Sequence, residues 1–469
     1  MFHRLNADDL AELRAIFGAE RVSTGASVLN LHSADQAYHR GFLPEAVVFP
    51  TATEEVARLM RLADERRIPV TPWGAGTSLE GNCVPAAGGV VIDFQRMDRI
   101  LAVRPADFQV DVQAGVPHQD MNRELARHGL FFPPDPGANA TIGGMVATNA
   151  SGIRTIKYGA TRDNVLRLTA VLPGGRVLHA GTRAPKSSAG YDLVRLLVGS
   201  EGTLAVVTEA TLRLSGIPEE YSAAVATFGT VRQAAAAVAD IMASGLEPAA
   251  LELLDENAAA VIAAEGRVRL EVRPTLFVEF SGSHAAGLAA DVAQTREICA
   301  ARGGLGFCSG VGRAERHRLW EARHGFGEAL IRAHPGQNVL IVDTAVPLSA
   351  FAEMVEFAVA AAAARRLTAS VCAHAGDGNL HLNIVGRMLD PEFMALVAPV
   401  YDEIVAFAIA RGGTATGEHG VGIGKRKFMR RQHGFGVELM AAIKRSFDPH
   451  GILNPGKVLP SEEPDGGAA

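Results

Sequence analysis

The residues best suited to chemistry in this chain are His374 and His381, seven positions apart in His-Ala-Gly-Asp-Gly-Asn-Leu-His, and Glu418-His419, which Gly417 and Gly420 flank. Two imidazoles and a carboxylate suit a borderline divalent cation such as zinc, and three protein ligands leave an open position where a substrate oxygen can be polarised. His419 is then left to accept a proton. The competing reading is that the glycines make turns and that the histidines are ordinary polar surface or satisfied core residues.

Such residues need elements that hold them. Thr53 to Arg66 has Val56, Leu59, Met60 and Ala63 on one helical face, and this spacing predicts an amphipathic helix. Ile68 to Pro72 reads as a short strand running into Trp73-Gly74-Ala75-Gly76-Thr77-Ser78-Leu79-Glu80-Gly81-Asn82. Small residues there let backbone N–H groups approach an anion, which makes the loop a candidate pyrophosphate cradle. An ordinary turn between strands explains one such loop equally well, and its spacing matches neither a dinucleotide G-x-G-x-x-G nor an NTPase loop. A second small-residue stretch, Pro133 to Gly152, could lie flat along an extended ligand. A third, Gly199 to Thr208, passes from a turn into a β-branched strand. Beyond about residue 220, longer helices alternate with strand segments such as Thr275–Phe280 and Val339–Asp343. The strand leaving the His374–His381 loop puts His381 and Asn383 on one face.

At 469 residues, with 48% hydrophobic residues, the chain can bury two or three cores. Its net charge of −6 is interspersed, with no basic stripe of the kind that tracks a phosphate backbone, so no nucleic-acid partner is expected. Cys83, Cys299, Cys308 and Cys372 form no C-x-x-C and suggest neither a cluster nor a disulfide framework. Acids at the N-terminus argue against an export signal, and the alanine run Ala358–Ala364 is too short to span a bilayer. The expectation is a cytoplasmic protein with no transmembrane segment, peripheral to the inner membrane at most.

The three loops, in this order, resemble the FAD-binding domain of the vanillyl-alcohol-oxidase or p-cresol-methylhydroxylase (PCMH) type. The two histidine motifs are similar to its D-2-hydroxyacid dehydrogenase branch, which includes D-lactate dehydrogenases (cytochrome or other acceptor), D-2-hydroxyglutarate dehydrogenases and the large subunit of glycolate oxidase. The resemblance runs from about residue 40 to Pro460. It implies an α+β chain in three parts: an N-terminal helical segment and a PCMH-type FAD-binding domain of two α+β subdomains (1–219), an α+β substrate cap with an antiparallel sheet and the metal site (220–445), and a segment returning to the FAD domain (446–469), disordered after Pro460. It places Pro72, Gly74, Ala75, Gly76, Thr77 and Ser78 at the pyrophosphate. Pro136, Gly137, Thr141, Gly144, Ala147, Asn149 and Gly152 fall at the isoalloxazine and ribityl region, and Glu201, Gly202 and Val207 at the adenosine end. Asn454 and Lys457 approach the cofactor or, equally, form a tight surface turn. With no histidine from Gly74 to Asn82, the FAD is expected to be noncovalent.

The same resemblance assigns His374, His381 and Glu418 as ligands of a divalent metal, zinc before manganese, with Asn383 orienting the substrate and His419 as base. Arg323 is the candidate cation for a substrate carboxylate; a solvated helix arginine is the alternative. Gly327 and Ile341 stand where the hydroxyglutarate enzymes carry a hydroxyl residue and a lysine, which favours D-lactate. The implied reaction is proton abstraction at the metal-bound C2 hydroxyl with hydride transfer to flavin N5. Electrons then pass to an external acceptor such as a cytochrome, a quinone or an electron-transfer flavoprotein. A homodimer is a further expectation. The alternatives are a D-2-hydroxyglutarate dehydrogenase or glycolate oxidase subunit, an alkylglycerone-phosphate-synthase-like transferase, and a noncatalytic flavin subunit.

Overall fold

The computed structural model describes residues 2–266 and 270–460. The acidic, glycine-rich tail read as disordered after Pro460 lies outside the described residues. By its internal contacts the chain divides into two units. The first comprises the chain up to Gly152, Gly159–Ile217 and the segment from Glu418; the second comprises Ile153–Tyr158 and Pro218–Gly417.

In the first unit the helix Thr53–Arg66 forms where its spacing predicts and buries Val56, Leu59, Met60 and Ala63. Each of the larger side chains contributes about 1.5–3 kcal/mol through burial, and Arg67, in the left-handed region at φ 55°, ends the helix. This face packs on a four-stranded sheet ordered Val22–Ser23, Ala46–Val48, Val90–Asp93, Val70–Trp73. The last of these is an edge strand, where Pro72 removes no needed ladder bond. Val70 alone is met on that edge, by the C-terminal run, through Val70 N–H to Ile452 C=O and Asn454 N–H to Val70 C=O, both 2.8 Å. A second, antiparallel sheet runs Ile100–Arg104, Gln109–Gln113, Val206–Arg213, Val165–Val171, Val177–Gly181. Its core includes Val110, Val112, Leu168 and Leu212, closed by Ile142, Met145 and Val146. The C-terminal segment belongs to this unit from Glu418 onward, earlier than residue 446, where the sequence placed its return. The buried carboxylate of Glu201 captures the backbone at Val421 and Gly422.

The second unit is built on a seven-stranded, wholly antiparallel sheet. Its order is Gly304–Val311, Glu220–Phe228, Thr275–Gly282, Ala250–Leu254, Thr368–His374, Asn379–Gly386, Asn338–Ala345. Leu319, Trp320, Phe326 and Leu330, from the helices Arg313–His324 and Phe326–Ala333, pack with Val225, Leu254, Phe277 and Val385 of the sheet. The alanine run lies in the helix Leu348–Ala364, with Ala358, Ala361 and Ala362 buried. One helix among the described residues, Pro391–Ala410, is long and apolar enough to cross a membrane by length and composition, with 33% of the stretch buried. It turns Val397, Val400, Ile404 and Val405 inward and stacks Phe407 on Phe357 at 4.2 Å.

Asp255 caps the helix Glu256–Glu265 by accepting the Ala258 N–H at 2.7 Å. Burial pushes its carboxyl up to about 6, against the pull of the backbone donors. A carboxyl raised in the folded state stabilises the fold below its unfolded pKa of about 3.9 and loses that contribution as pH climbs toward 6. Asparagine caps a helix as well as aspartate does and carries no charge to bury. Asp255→Asn is therefore expected to stabilise the protein by roughly 1–3 kcal/mol at pH 8 relative to its effect at pH 4. Thermal unfolding of both proteins at the two pH values checks this, and equal shifts at both would contradict it.

A candidate flavin cradle and a two-histidine cluster

The three glycine-rich segments, separate in sequence, meet in the first unit. A Cβ built on Gly74 would lie 2.3 Å from Thr141 Oγ1, and one on Gly202 would lie 3.0 Å from Pro72. Glu201 N–H donates to Ala147 C=O at 2.8 Å. Thr141 caps the helix Ile142–Thr148 by accepting from Gly144 N–H, and Asn149 ends it at φ 54° with its Oδ1 on Arg162 N–H. At Gly74 and Gly202 an added side chain would collide with Thr141 and Pro72, so this approach needs glycine at both positions. Beside this junction lies a cavity of about 680 Å³ lined in part by His32, Asp35, Trp73, Gly74, Gly76 and Thr141. Among the described residues, the N–H groups of Ala75, Gly76, Thr77 and Ser78 make no hydrogen bond to protein, as an anion cradle requires. These residues fit a pyrophosphate and its dinucleotide. Gly137 is exposed, with open space around it, and takes no part in the junction.

His32, which the loop sequences did not single out, faces the same cavity. Its Nδ1 meets Val28 C=O at 2.8 Å, its Nε2 meets Asp93 at 2.9 Å, and its ring lies 4.9 Å from that of Trp73. Burial opposes its charge, yet the Asp93 carboxylate and the Val28 carbonyl raise its pKa. A histidine whose two nitrogens both face acceptors is a poor nucleophile, so noncovalent FAD remains the expectation. All flavin is expected to leave the protein on acid precipitation, and yellow colour retained in the pellet would show otherwise.

In the second unit, strand register builds a polar patch on an apolar sheet. His374 pairs with Asn379, and His381 lies between Cys372 and Asp343. Leu253 pairs with Ala373, so Glu252 comes opposite His374. Glu252 Oε1 is 2.8 Å from His374 Nδ1, and Glu252 Oε2 accepts from Arg323 Nε at 3.0 Å and Nη2 at 2.6 Å. Burial would raise the Glu252 carboxyl, but His374 and Arg323 outweigh it and hold the group below the usual carboxylate range. The rings of His374 and His381 stand edge to face, 5.1 Å between centroids. Asp343 accepts from Asn379 Nδ2 at 2.8 Å, and from Thr416 Oγ1 and Gly417 N–H at 2.9 Å each. Asn383 shares the face of His381, is buried, and donates to Ser370 C=O at 3.3 Å.

Arg323, expected to meet a substrate carboxylate, grips the internal carboxylate of Glu252. The guanidinium needs a carboxylate partner, and the sheet supplies one where the sequence could not show it. Glu252 and Asp343 were themselves missed. Each is a lone acid in an apolar run, Ala-Leu-Glu-Leu-Leu and Leu-Ile-Val-Asp-Thr, and such an acid is buried only when it has partners; that was the available signal.

On the first unit's side, Ser151 Oγ donates to Glu418 Oε2 at 3.0 Å, and the His419 ring is 10% exposed. Asn454 and Lys457 are buried, which excludes the surface-turn reading. Asn454 donates to Asn82 C=O at 2.8 Å and Glu201 C=O at 2.7 Å, and Lys457 donates to Val84 C=O at 2.6 Å. Burial pulls the Lys457 ammonium down to about 8.

A two-sheet unit whose glycine-rich segments converge beside an open cavity is a flavin-binding fold of the PCMH type. The solved structure of p-cresol methylhydroxylase with substrate bound is similar to this chain with a TM-score of 0.78 at 15% identity, covering 96% of both chains. Residues 217–458 match the FAD linked oxidases, C-terminal domain, and residues 44–181 match an FAD binding domain. A probable mitochondrial D-lactate dehydrogenase of Danio rerio is 38% identical over 454 residues, covering 96% of this chain and 91% of that protein. Glycolate oxidase subunit GlcD of Bacillus subtilis is 35% identical over 460 residues, covering 97% of each. The chain belongs to the FAD-linked oxidase family, and it is an FAD-dependent oxidoreductase.

Proposed function

We propose that this protein oxidises a small D-2-hydroxy acid, D-lactate before others, to the 2-oxo acid, and passes the electrons to an external acceptor. The observation that carries the reading is the Glu252–His374 pair beside His381. A carboxylate on the far nitrogen of an imidazole fixes its tautomer and raises its basicity, as it does for metal-ligating histidines. Two imidazoles and a carboxylate form a donor set suited to zinc, and to manganese second. His374, His381 and Glu418 are the residues that would hold the ion. When bound, the ion supplies charge that acidifies a C2 hydroxyl, and FAD supplies the hydride acceptor.

The chain's own residues do the rest. His419 accepts the hydroxyl proton. Asn383 orients the substrate, because its 3.3 Å bond to Ser370 C=O is long enough to be exchanged for a better acceptor. Arg323 acts at one remove, by holding Glu252 on His374. Ile341 pairs with Asn383 across the sheet, and Gly327 brings no side chain, so neither offers a polar partner to a second carboxylate. The relatives named for D-lactate and glycolate agree with a short substrate.

Anaerobic bleaching of the bound flavin in metal-replete protein tests the reading, with D-lactate, L-lactate, glycolate and D-2-hydroxyglutarate run in parallel. Fast bleaching by D-lactate is expected. Bleaching by D-2-hydroxyglutarate alone would overturn the short-substrate reading. No bleaching by any acid would overturn the dehydrogenase reading and return weight to a transferase. Stripping the metal with a chelator is expected to slow bleaching at least about a hundredfold, with recovery on adding zinc or manganese, because the ion supplies several kcal/mol of charge stabilisation.

A further inference from the structure

We propose that Glu201 is a positioning residue for the loop that bears His419, rather than a contact to the adenosine end of FAD. The proposal rests on the reading of His419 as the base. Every contact it uses lies within the first unit.

Glu201 is buried and sits in the left-handed region at φ 53°, a conformation that costs a residue with a Cβ about 1 kcal/mol or more. Such a residue persists where its side chain is needed. Glu201 Oε1 accepts the Val421 N–H at 2.6 Å, and Oε2 accepts the Gly422 N–H at 2.8 Å and Asn82 Nδ2 at 2.7 Å. Both carboxylate oxygens are therefore engaged by the segment that follows His419. Asn82 Nδ2 also reaches His419 C=O at 3.3 Å, and Asn454 ties the backbone carbonyls of Asn82 and Glu201 together. Gly420, at φ 80°, lies in the middle: a Cβ there would come within 2.6 Å of Asn82 Nδ2 and 2.9 Å of Glu201 Oε1.

A second buried carboxylate continues the clamp. Glu80 C=O accepts the Ile423 N–H at 2.8 Å, and the Glu80 side chain pairs with the fully buried Lys425 at 3.3 Å. The backbone on the C-terminal side of His419 is thus held at Val421, Gly422 and Ile423, and again through the Lys425 side chain. Burial raises the Glu201 carboxyl while the Val421 and Gly422 N–H groups and Asn82 pull it down. A carboxyl group accepting two successive backbone N–H groups is an oriented anchor whatever that balance. Holding a base to within a fraction of an ångström is what separates a poised base from a nearby one.

Glu201→Gln keeps the shape but replaces one acceptor oxygen with an NH₂ that faces a backbone N–H. In the FAD-loaded protein this variant is expected to retain flavin to within twofold. It should slow anaerobic bleaching by D-lactate at least tenfold with substrate affinity changed less than threefold, and raise amide hydrogen exchange in 418–424 at least tenfold. If Glu201 works through His419, the double variant Glu201→Gln/His419→Asn should bleach no more slowly than His419→Asn alone. Additive losses in the double variant, unchanged exchange at 418–424, or loss of FAD at an unchanged bleaching rate per bound flavin would each overturn the proposal. Should Glu201→Gln fail to fold, Asn82→Ala, which removes only the bridge to Glu201 and His419 C=O, is expected to give the same exchange signature. If the wild-type protein is bleached by no hydroxy acid, the functional reading fails by itself, and the exchange measurement alone decides whether Glu201 holds the loop.

Discussion

Replacing His419 with asparagine is expected to slow flavin bleaching by a 2-hydroxy acid about 10²–10⁴-fold, the range over which a positioned general base contributes. FAD should remain bound. The contacts that hold the loop engage the His419 carbonyl and the N–H groups of Val421 and Gly422, not the imidazole's place in the fold. Asparagine preserves all of them. Stopped-flow absorbance on anaerobic, metal-replete protein reads the bleaching rate, and the resting flavin spectrum reads occupancy. A loss smaller than tenfold would remove His419 from the proton transfer and leave solvent or a neighbouring group as the base.

Glu252→Gln is expected to damage both stability and metal affinity, through different partners. Glu252 is fully buried, with its Arg323 partner only 12% exposed and its His374 partner 9% exposed. Removing its charge leaves the Arg323 cation facing a neutral amide in a low-dielectric interior, and breaking a buried pair this way costs about 3–5 kcal/mol. His374 meanwhile loses the carboxylate that fixes its ring, a change that typically costs 10–100-fold in metal affinity. The two effects separate in the double variant Glu252→Gln/Arg323→Met, which removes the stranded cation. That protein should regain most of the stability and none of the affinity. Urea unfolding and competition with a chelating dye measure them independently. Unchanged metal affinity in Glu252→Gln would mean that His374 is not a ligand.

Local spacing carried the helix Thr53–Arg66, the strand into the cradle loop and the strands around Phe277, Ile341 and His381, because periodicity of 3.6 or 2 residues is a property of neighbours. The three glycine-rich segments were likewise visible as unusual composition, although nothing local says that Gly74 should touch Thr141 or Gly202 touch Pro72. The apolar helix Pro391–Ala410 carries Pro399 inside it, and an internal proline reads locally as a break. Arg323 was assigned to a substrate because its internal partner, Glu252, lies 71 residues away in sequence.

The sequence by itself determined which chemical groups this protein owns: two histidines in one turn-and-strand motif, a Glu-His pair between glycines, and loops small enough to meet a dinucleotide. Tertiary structure alone decided how those groups are held. Strand register sets Glu252 on His374 across 122 residues, and a buried carboxylate sets Glu201 on the backbone at Val421 and Gly422 across about 220. Those pairings depend on which strands become neighbours and which acids are forced out of water, and both follow from the packing of the whole chain.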